Sequence, residues 1–384
     1  MSKRSGIILI LLFAALIPVP GQVKVRVFSA QNPSSAVFSV TRGRYELDVF
    51  DGKNIQIAEG DPVIIAGLNN RIAVKTKNER SFLCDSLIVK ELTDDCTFTL
   101  RMNGNTQISR TYSGDLLVHS DLGVMVFINN CDIEKYIAGV VRTEGGTGRS
   151  AEYLKSQAVL ARTFLYKHFK RHLIDGYNMC DGTHCQAFNG MTADQAINKA
   201  ALETKGLVAI DPDSNLIISA FHSNCGGETS TADNVWLSSH SHVRKVIDPY
   251  CVHSPNATWK KTIPLADWVA YMKRNRFNPG KNENINFSFS QLTRQNDYSL
   301  GSFSIPFSRI RTDLRLKSAF FSVQQEGNNI ILKGRGYGHG VGLCQEGAMV
   351  MASKGFKFRE IIGFYYPDVI ITDIKYAKVV KNDF

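Results

Sequence analysis

From Val23 to about Leu117 the chain alternates apolar and polar residues in short runs, as in Val23-Lys24-Val25-Arg26-Val27 and Tyr45-Glu46-Leu47-Asp48-Val49. A period of two puts successive side chains on opposite faces, so this stretch predicts half-buried β-strands. Turn signals separate the runs at Asp51-Gly52, Glu59-Gly60-Asp61-Pro62 and Asn103-Gly104-Asn105. Such a section is a scaffold or a binding sandwich; alternation alone carries no chemistry.

The period changes after Asn129. Ile133 to Val141 predicts a short helix or turn, Gly145-Gly146-Thr147-Gly148 a flexible loop, and Ser150 a cap on a helix that runs to about Lys170. Leu154, Ala158, Ala161 and Leu165 recur at helical spacing, with Glu152 in the first turn and Lys167, Lys170 and Arg171 in the last, which suits the helix dipole. Strands return at Leu216 to Phe221 and Ile330 to Leu332, and a helix is predicted from Gln345 to Ser353. Residues 267 to 311 are basic, Asn-rich and weakly patterned, the mark of a variable, partly looped insertion. The expected fold is α+β: predominantly β, with a β-rich N-terminal section and one long helix in the core of the C-terminal section.

The first residues change the picture most. Lys3 and Arg4 precede an apolar run from Ile7 to Ile17, and Pro18-Val19-Pro20-Gly21 ends it, so a secretory signal with cleavage near Gly21 is expected. The run is too short to cross a bilayer, which takes roughly 20 apolar residues. The rest of the chain has no long apolar run and no cysteine precedes Cys84, so neither a membrane span after signal removal nor a lipid anchor is expected. The expected division is residues 1–21 as signal, 22–117 as a β-rich domain and 118–384 as a second domain with the insertion at about 267–311. The expected location is outside the cytoplasm, in the periplasm or cell envelope. At 384 residues, 43% hydrophobic and 21% charged, wholesale disorder and a multispan membrane protein are excluded. The net charge of +10 falls to +8 once Lys3 and Arg4 leave, and a cationic surface suits a polyanionic partner.

Four constellations could carry chemistry. Cys180 and Cys185 flank Asp-Gly-Thr-His184, with His172 eight residues before Cys180. Two thiolates at this spacing can wrap one tetrahedral cation with His172 on a third side and His184 or a water as fourth ligand; a plain disulfide between them is equally open. Using Cys185 as a nucleophile with His184 as its base is disfavoured, because adjacent side chains rarely reach that geometry. Gly334-Arg-Gly336-Tyr-Gly338-His339-Gly340-Val-Gly342 sets glycines at alternate positions, which permits positive φ or close backbone approach around one imidazole. It completes no GxGxxG or GxxxxGK[ST] register, so nucleotide binding is rejected. Arg142-Thr143-Glu144-Gly145-Gly146 places a carboxyl between an apolar run and a glycine loop, where partial desolvation would raise its pKa toward neutrality. Phe221-His222-Ser223-Asn224-Cys225 puts polar groups at the end of an apparently buried strand. Among the other cysteines, Cys225 with Cys251 is a pairing guessed from proximity alone.

Taken in order, these pieces resemble the stage II sporulation protein D (SpoIID/LytB) family. The residues are Tyr112-Ser-Gly114, Asn129, Ile133-Glu-Lys-Tyr136 and Val140-Val-Arg-Thr-Glu144; Leu154-Lys-Ser-Gln157 through Arg162-Thr163; Thr183-His184-Cys-Gln186; Thr204-Lys-Gly206; Phe221-His-Ser223 with Gly226-Gly227 and Val235-Trp236; Leu314-Arg-Leu-Lys-Ser318; Gly334 to Gly342 with Gln345 and Gly347-Ala348; and Tyr365-Tyr-Pro367. The resemblance implies action on peptidoglycan: some members are lytic transglycosylases that prefer glycan strands without stem peptides, others enhance cell-wall amidases. It assigns the single acid/base to Glu144, and a substrate groove to Gln157, Arg162, His222, Ser223, His339 and Gln345. Arg162 could pair with a lactyl carboxylate or be a buried anchor. The resemblance favours structural zinc at Cys180, Cys185 and His172, no organic cofactor, acidic glycan rather than nucleic acid as the polyanion, and a cell-wall amidase as possible partner. Two positions depart from the family pattern: Gly145-Gly146 stand after the glutamate where Met-Pro is usual, and Cys344-Gln345-Glu346-Gly347 replaces Ser-Gln-Trp-Gly, which exchanges an aromatic sugar platform for an acid.

Overall fold

The computed structural model describes residues 21–50, 54–78, 81–103, 108–233, 235, 242–278 and 285–378. Of the expected signal, residues 1–21, all but Gly21 lie outside these residues, as does Trp236. The alternating stretch forms two antiparallel sheets packed face to face. One contains Gln22–Val27, Val124–Asp132, Asp115–Asp121, Ser86–Glu91, Tyr45–Asp48 and Asn54–Ile57, in that spatial order. The other runs Ser109–Ser113, Thr97–Met102, Ser35–Arg42, Pro62–Leu68, Arg71–Lys75 and Phe82–Cys84. In Gln22–Val27 the apolar Val23, Val25 and Val27 are buried while Gln22 and Lys24 face solvent, as a two-residue period demands.

The expected domain boundary at 117 falls inside the strand Asp115–Asp121, because Val124–Asp132 pairs with it along seven residues and belongs to the same sheet. A seventh strand, Met179–Cys180, joins the edge of that sheet from far along the chain, parallel to Gln22–Val27 with Val25 opposite Met179 and Arg26 opposite Cys180. The N-terminal sandwich therefore shares a sheet and one continuous core with the helical section C-terminal to it.

Seven helices occur among the described residues: α1 (Ile133–Gly145), α2 (Ala151–Lys167), α3 (Gln195–Glu203), α4 (Leu265–Arg274), α5 (Phe307–Asp313), α6 (Gln345–Ser353) and α7 (Phe358–Tyr365). α1 is a full helix rather than a short turn: Asp132 caps it by accepting the Glu134 and Lys135 N–H groups at 2.8 and 3.1 Å, and Gly146 ends it at φ 78°. Ser150 does sit at the N-cap of α2, but its side chain makes no capping bond. Leu154, Ala158, Ala161 and Leu165 are all buried, so α2 is the central helix, flanked by α1, α3, α6 and α7. No described helix is long and apolar enough to cross a membrane.

The segment expected to be a variable, partly looped insertion, about 267–311, carries α4, the hairpin Asp297–Leu300 with Phe303–Pro306 and the start of α5, while its described residues between 275 and 296 form no helix or named strand. The strands Thr258–Pro264, Asn329–Arg335 and Phe321–Glu326 form a sheet that packs with α4, α5 and a hairpin around Trp268, Tyr298, Phe287 and Phe307, a core separate from the main one. This core is aromatic: few large rings bury the area that many aliphatic side chains would otherwise supply.

Candidate functional site

Glu144 is the penultimate residue of α1. Its side chain is half-buried, and its Oε1 accepts the backbone N–H of Ala187 at 2.9 Å. Burial raises its pKa above the ordinary glutamate value, and the Ala187 bond only partly opposes that. The C-terminal end of a helix acts in the same direction as burial, since its exposed carbonyls disfavour an anion. The carboxyl opens onto a cavity of about 610 Å³, also lined by Phe164, Lys167, His168, Arg171, Thr183, His184, Cys185, Gln186, Ile218, Ser219, Ala220, Phe221 and His339. Among the described residues, Glu144 is the one acid on that lining.

Behind the acid, Gln345 at the start of α6 donates its amide to the Glu144 carbonyl oxygen at 3.0 Å and to the Gln157 side-chain oxygen at 3.2 Å. Both glutamines are buried, and Gln345 holds the end of α1 in place. His339 reaches the cavity from the glycine loop. Gly336, Gly338, Gly340 and Gly342 all have positive φ (76, 110, 85 and 71°), which alternate glycines alone permit at low cost. His222 packs edge-on against His339 and its Nδ1 lies 3.1 Å from the Val341 carbonyl. Burial drives both imidazoles down, His339 to about 4, so both are neutral near pH 7. His168 is likewise pushed down to about 4 by burial. The positive charge at the cavity therefore comes from Lys167 and Arg171, whose nitrogens are also anchored on the carbonyls of Leu216 and His184.

Beside the acid, His172, Cys180, His184 and Cys185 converge, with their ligand atoms all within 4.8 Å of one another. Cys185 Sγ lies 3.4 Å from His172 Nε2 and 3.7 Å from His184 Nδ1, which is 3.8 Å from Cys180 Sγ. Zinc bonds of about 2.0–2.3 Å separate tetrahedral ligand atoms by about 3.3–3.8 Å, so this donor set fits such an ion. His172 presents its other nitrogen to Asp175 at 3.3 Å, the carboxylate support that orients metal-binding imidazoles. Both thiols are unbonded, and the neighbouring Cys185 thiol pulls the Cys180 thiol below its ordinary value. Cys180 stands on the sandwich's edge strand. The next residue, Asp181, is bound by the N–H groups of Phe28 and Ser29 and by Arg110 at 2.6, 3.0 and 2.6 Å.

The expected groove residues thus separate. Glu144 and His339 line the cavity, while Gln157, Gln345 and His222 lie immediately behind it. Ser223 is not on the lining; its carbonyl accepts the Glu346 N–H at 3.0 Å. Arg162 is wholly buried and does not reach the cavity: it makes a forked pair with Glu134 and bonds the Leu207 and Ala201 carbonyls, which is the anchor role. Glu346 is not on the cavity either; its carboxylate accepts from the side chains of Asn224 and Asn256 at 2.6 and 2.7 Å. Sequence reasoning missed the cationic pair Lys167 and Arg171 at this site. Their only signal was a position in the last turn of a helix, which the dipole already explained.

Residues 122–210 match the family model described as SpoIID, Stage II sporulation protein. An uncharacterized protein of Brachyspira hyodysenteriae is 27% identical over 292 residues, covering 71% of this chain and 74% of that one. The stage II sporulation protein D of Bacillus subtilis is 26% identical over 268 residues, covering 64% of this chain and 76% of that one. The amidase enhancer of the same organism is 26% identical over 289 residues, covering 62% of this chain and only 40% of the enhancer.

Proposed function

We propose, from the premise that this chain carries a SpoIID domain, that it is an exported peptidoglycan-cleaving enzyme, a lytic transglycosylase with Glu144 as its single acid/base. The observation that carries the reading is a lone, partly desolvated carboxyl on a cavity with no second acid among its described lining residues. A hydrolase that activates water needs two carboxyl groups. One suffices when the nucleophile belongs to the substrate. Protonated Glu144 gives its proton to the bridging glycosidic oxygen as the bond to C1 breaks. The resulting carboxylate then takes the proton of the C6 hydroxyl of the same muramic acid, whose oxygen closes onto C1 to leave a 1,6-anhydro sugar and a protonated Glu144. No water is consumed. Lys167 and Arg171 suit the lactyl carboxylates that glycan exposes once its stem peptides are gone.

His172, Cys180, His184 and Cys185 would hold one structural zinc ion, which ties the end of α2 to the loop that supplies the Ala187 N–H. Elemental analysis of chain purified without chelator tests this; a Cys180–Cys185 disulfide with no metal would overturn it. The second functional reading, a noncatalytic wall-binding module that stimulates a cell-wall amidase, draws on the name of one relative. Digestion of purified glycan strands free of stem peptides separates the two. Anhydromuramyl ends from the wild type and not from Glu144→Gln are expected. Binding without cleavage, together with amidase stimulation by both proteins, would hand the chain to the module reading.

A further inference from the structure

A second cluster lies away from the cavity and takes no part in the chemistry above. Cys225, Asp248, Cys251 and Cys344 are each 0% exposed, and one sulfur or oxygen atom of each lies within 4.8 Å of all the others. Cys225 Sγ is 3.3 Å from Cys251 Sγ and 3.2 Å from Asp248 Oδ2. Two of the three sulfurs accept backbone N–H groups. Cys344 Sγ accepts the backbone N–H groups of Cys225 and Gly347 at 3.3 and 3.4 Å, and Cys251 Sγ accepts that of Gly227 at 3.3 Å. Gly226 and Gly227 have φ of 73 and 94°, and this left-handed turn aims the Gly227 N–H at Cys251. Asp248 is held by the Tyr250 N–H at 2.8 Å, by the Tyr365 hydroxyl at 2.9 Å and by the Cys225 thiol, none of them a cation.

We propose that these four residues form a second metal site, holding one divalent thiophilic cation, zinc by its tetrahedral donor set of three sulfurs and one oxygen. A buried carboxylate without a cationic partner is costly, and so are three converging thiols with N–H groups aimed at two of them. One divalent ion offsets both costs. Tetrahedral ligand atoms around zinc stand about 3.3–3.8 Å apart; the Cys225–Cys251 and Cys225–Asp248 separations of 3.3 and 3.2 Å lie at the short end of that spacing. A Cys225–Cys251 disulfide accounts for less: it uses two sulfurs and leaves Cys344, with its two N–H donors, and Asp248 unexplained. Arg294 adds positive charge nearby through its 2.7 Å bond to the Cys225 carbonyl.

The ion would join three segments distant in sequence, at 225–227, 248–251 and the N-cap of α6. Cys344 is that N-cap, and the next residue is Gln345, which holds the Glu144 carbonyl. The site is therefore structural support for the acid's position, and it stands whether or not the chain cleaves glycan.

The test is metal content by elemental analysis, with intact mass, of the full mature chain purified without chelator. Two zinc ions per chain are expected in the wild type, one in Cys344→Ser, and one in the double variant Cys180→Ser, Cys185→Ser. Cobalt substitution of that double variant should give a tetrahedral spectrum with thiolate-to-metal charge transfer, which does not depend on whether Cys344→Ser folds. A double variant that is folded by circular dichroism but binds no metal would overturn the proposal. So would a wild-type mass short by two hydrogens, with Cys225 and Cys251 joined in one peptide.

Discussion

Replacing Glu144 with Gln keeps the shape and the acceptor for Ala187 but removes the titrating proton. The variant should lose at least about a hundredfold in kcat on glycan strands while binding them normally. Because burial raises the acid's pKa, wild-type activity should fall as pH rises through that raised value, and a pH–rate profile reads it directly. Stability should move the same way. A carboxyl whose folded pKa is raised binds its proton more tightly when folded, so its favourable contribution is present at low pH and lost as pH rises past the folded value. Glu144→Gln should therefore be more stable than wild type at pH 7 and no more stable below pH about 4, where both states of the wild type are protonated; urea melts at both pH values check it. Arg162 makes the contrasting case. Arg162→Ala leaves the buried Glu134 unpaired and should cost about 3–5 kcal/mol in the same melts, while the folded protein's glycan affinity stays unchanged.

At the scale of elements, two loops deliver the cavity's chemistry and both depend on how they are held. The loop Thr183–Gln186 runs from the first cysteine cluster to Ala187, the donor to Glu144. Chelation or Cys180→Ser should therefore lower glycan cleavage and shift the pH–rate profile, because the Ala187 N–H that restrains the carboxyl's pKa would lose its placement. An unchanged profile in metal-free protein would separate the cluster from the acid. The glycine loop is restrained differently. A Cβ at Gly338, where φ is 110°, would meet His222 Cβ at 2.8 Å, so Gly338→Ala should cost about 1–3 kcal/mol and displace His339. Thermal melts and glycan binding read the two effects separately. Much of this level was legible from the chain alone: alternate glycines implied positive φ, and α6 lies at Gln345–Ser353 as its pattern predicts. The strand expected at Leu216 to Phe221 was not, since only Phe221–His222 pairs as a strand there, parallel to Leu343–Cys344. An apolar run signals burial, but the partner backbone decides whether a ladder forms.

Across the whole molecule, the N-terminal sandwich is more than a tether. Its edge accepts Met179–Cys180 as a strand, and the buried Asp181 ties that strand to Phe28, Ser29 and Arg110. Asp181→Ala should cost about 3–5 kcal/mol by leaving Arg110 and two backbone donors unanswered. It should also weaken the proposed zinc binding at Cys180 about 10–100-fold, as losses of outer-shell support do; a competition titration with a zinc chelator measures this. Unchanged affinity would show that the sandwich and the cluster are independent.

What the chain determined by itself was what is local or periodic. Two-residue alternation dictated the sandwich strands, the 3.6-residue period dictated α2, and residue chemistry singled out Glu144, the Cys180–Cys185 pair and the glycine loop around His339. Tertiary structure decided everything that depends on which distant segments meet. Arg162 became an anchor because Glu134 lies beside it; Cys225, Asp248, Cys251 and Cys344 became one cluster although 119 positions separate the first from the last. The physical reason is the same in each case. Periodicity records which face of an element is buried, whereas a side chain's pKa, partner and ligand set are fixed by the atoms that packing brings against it.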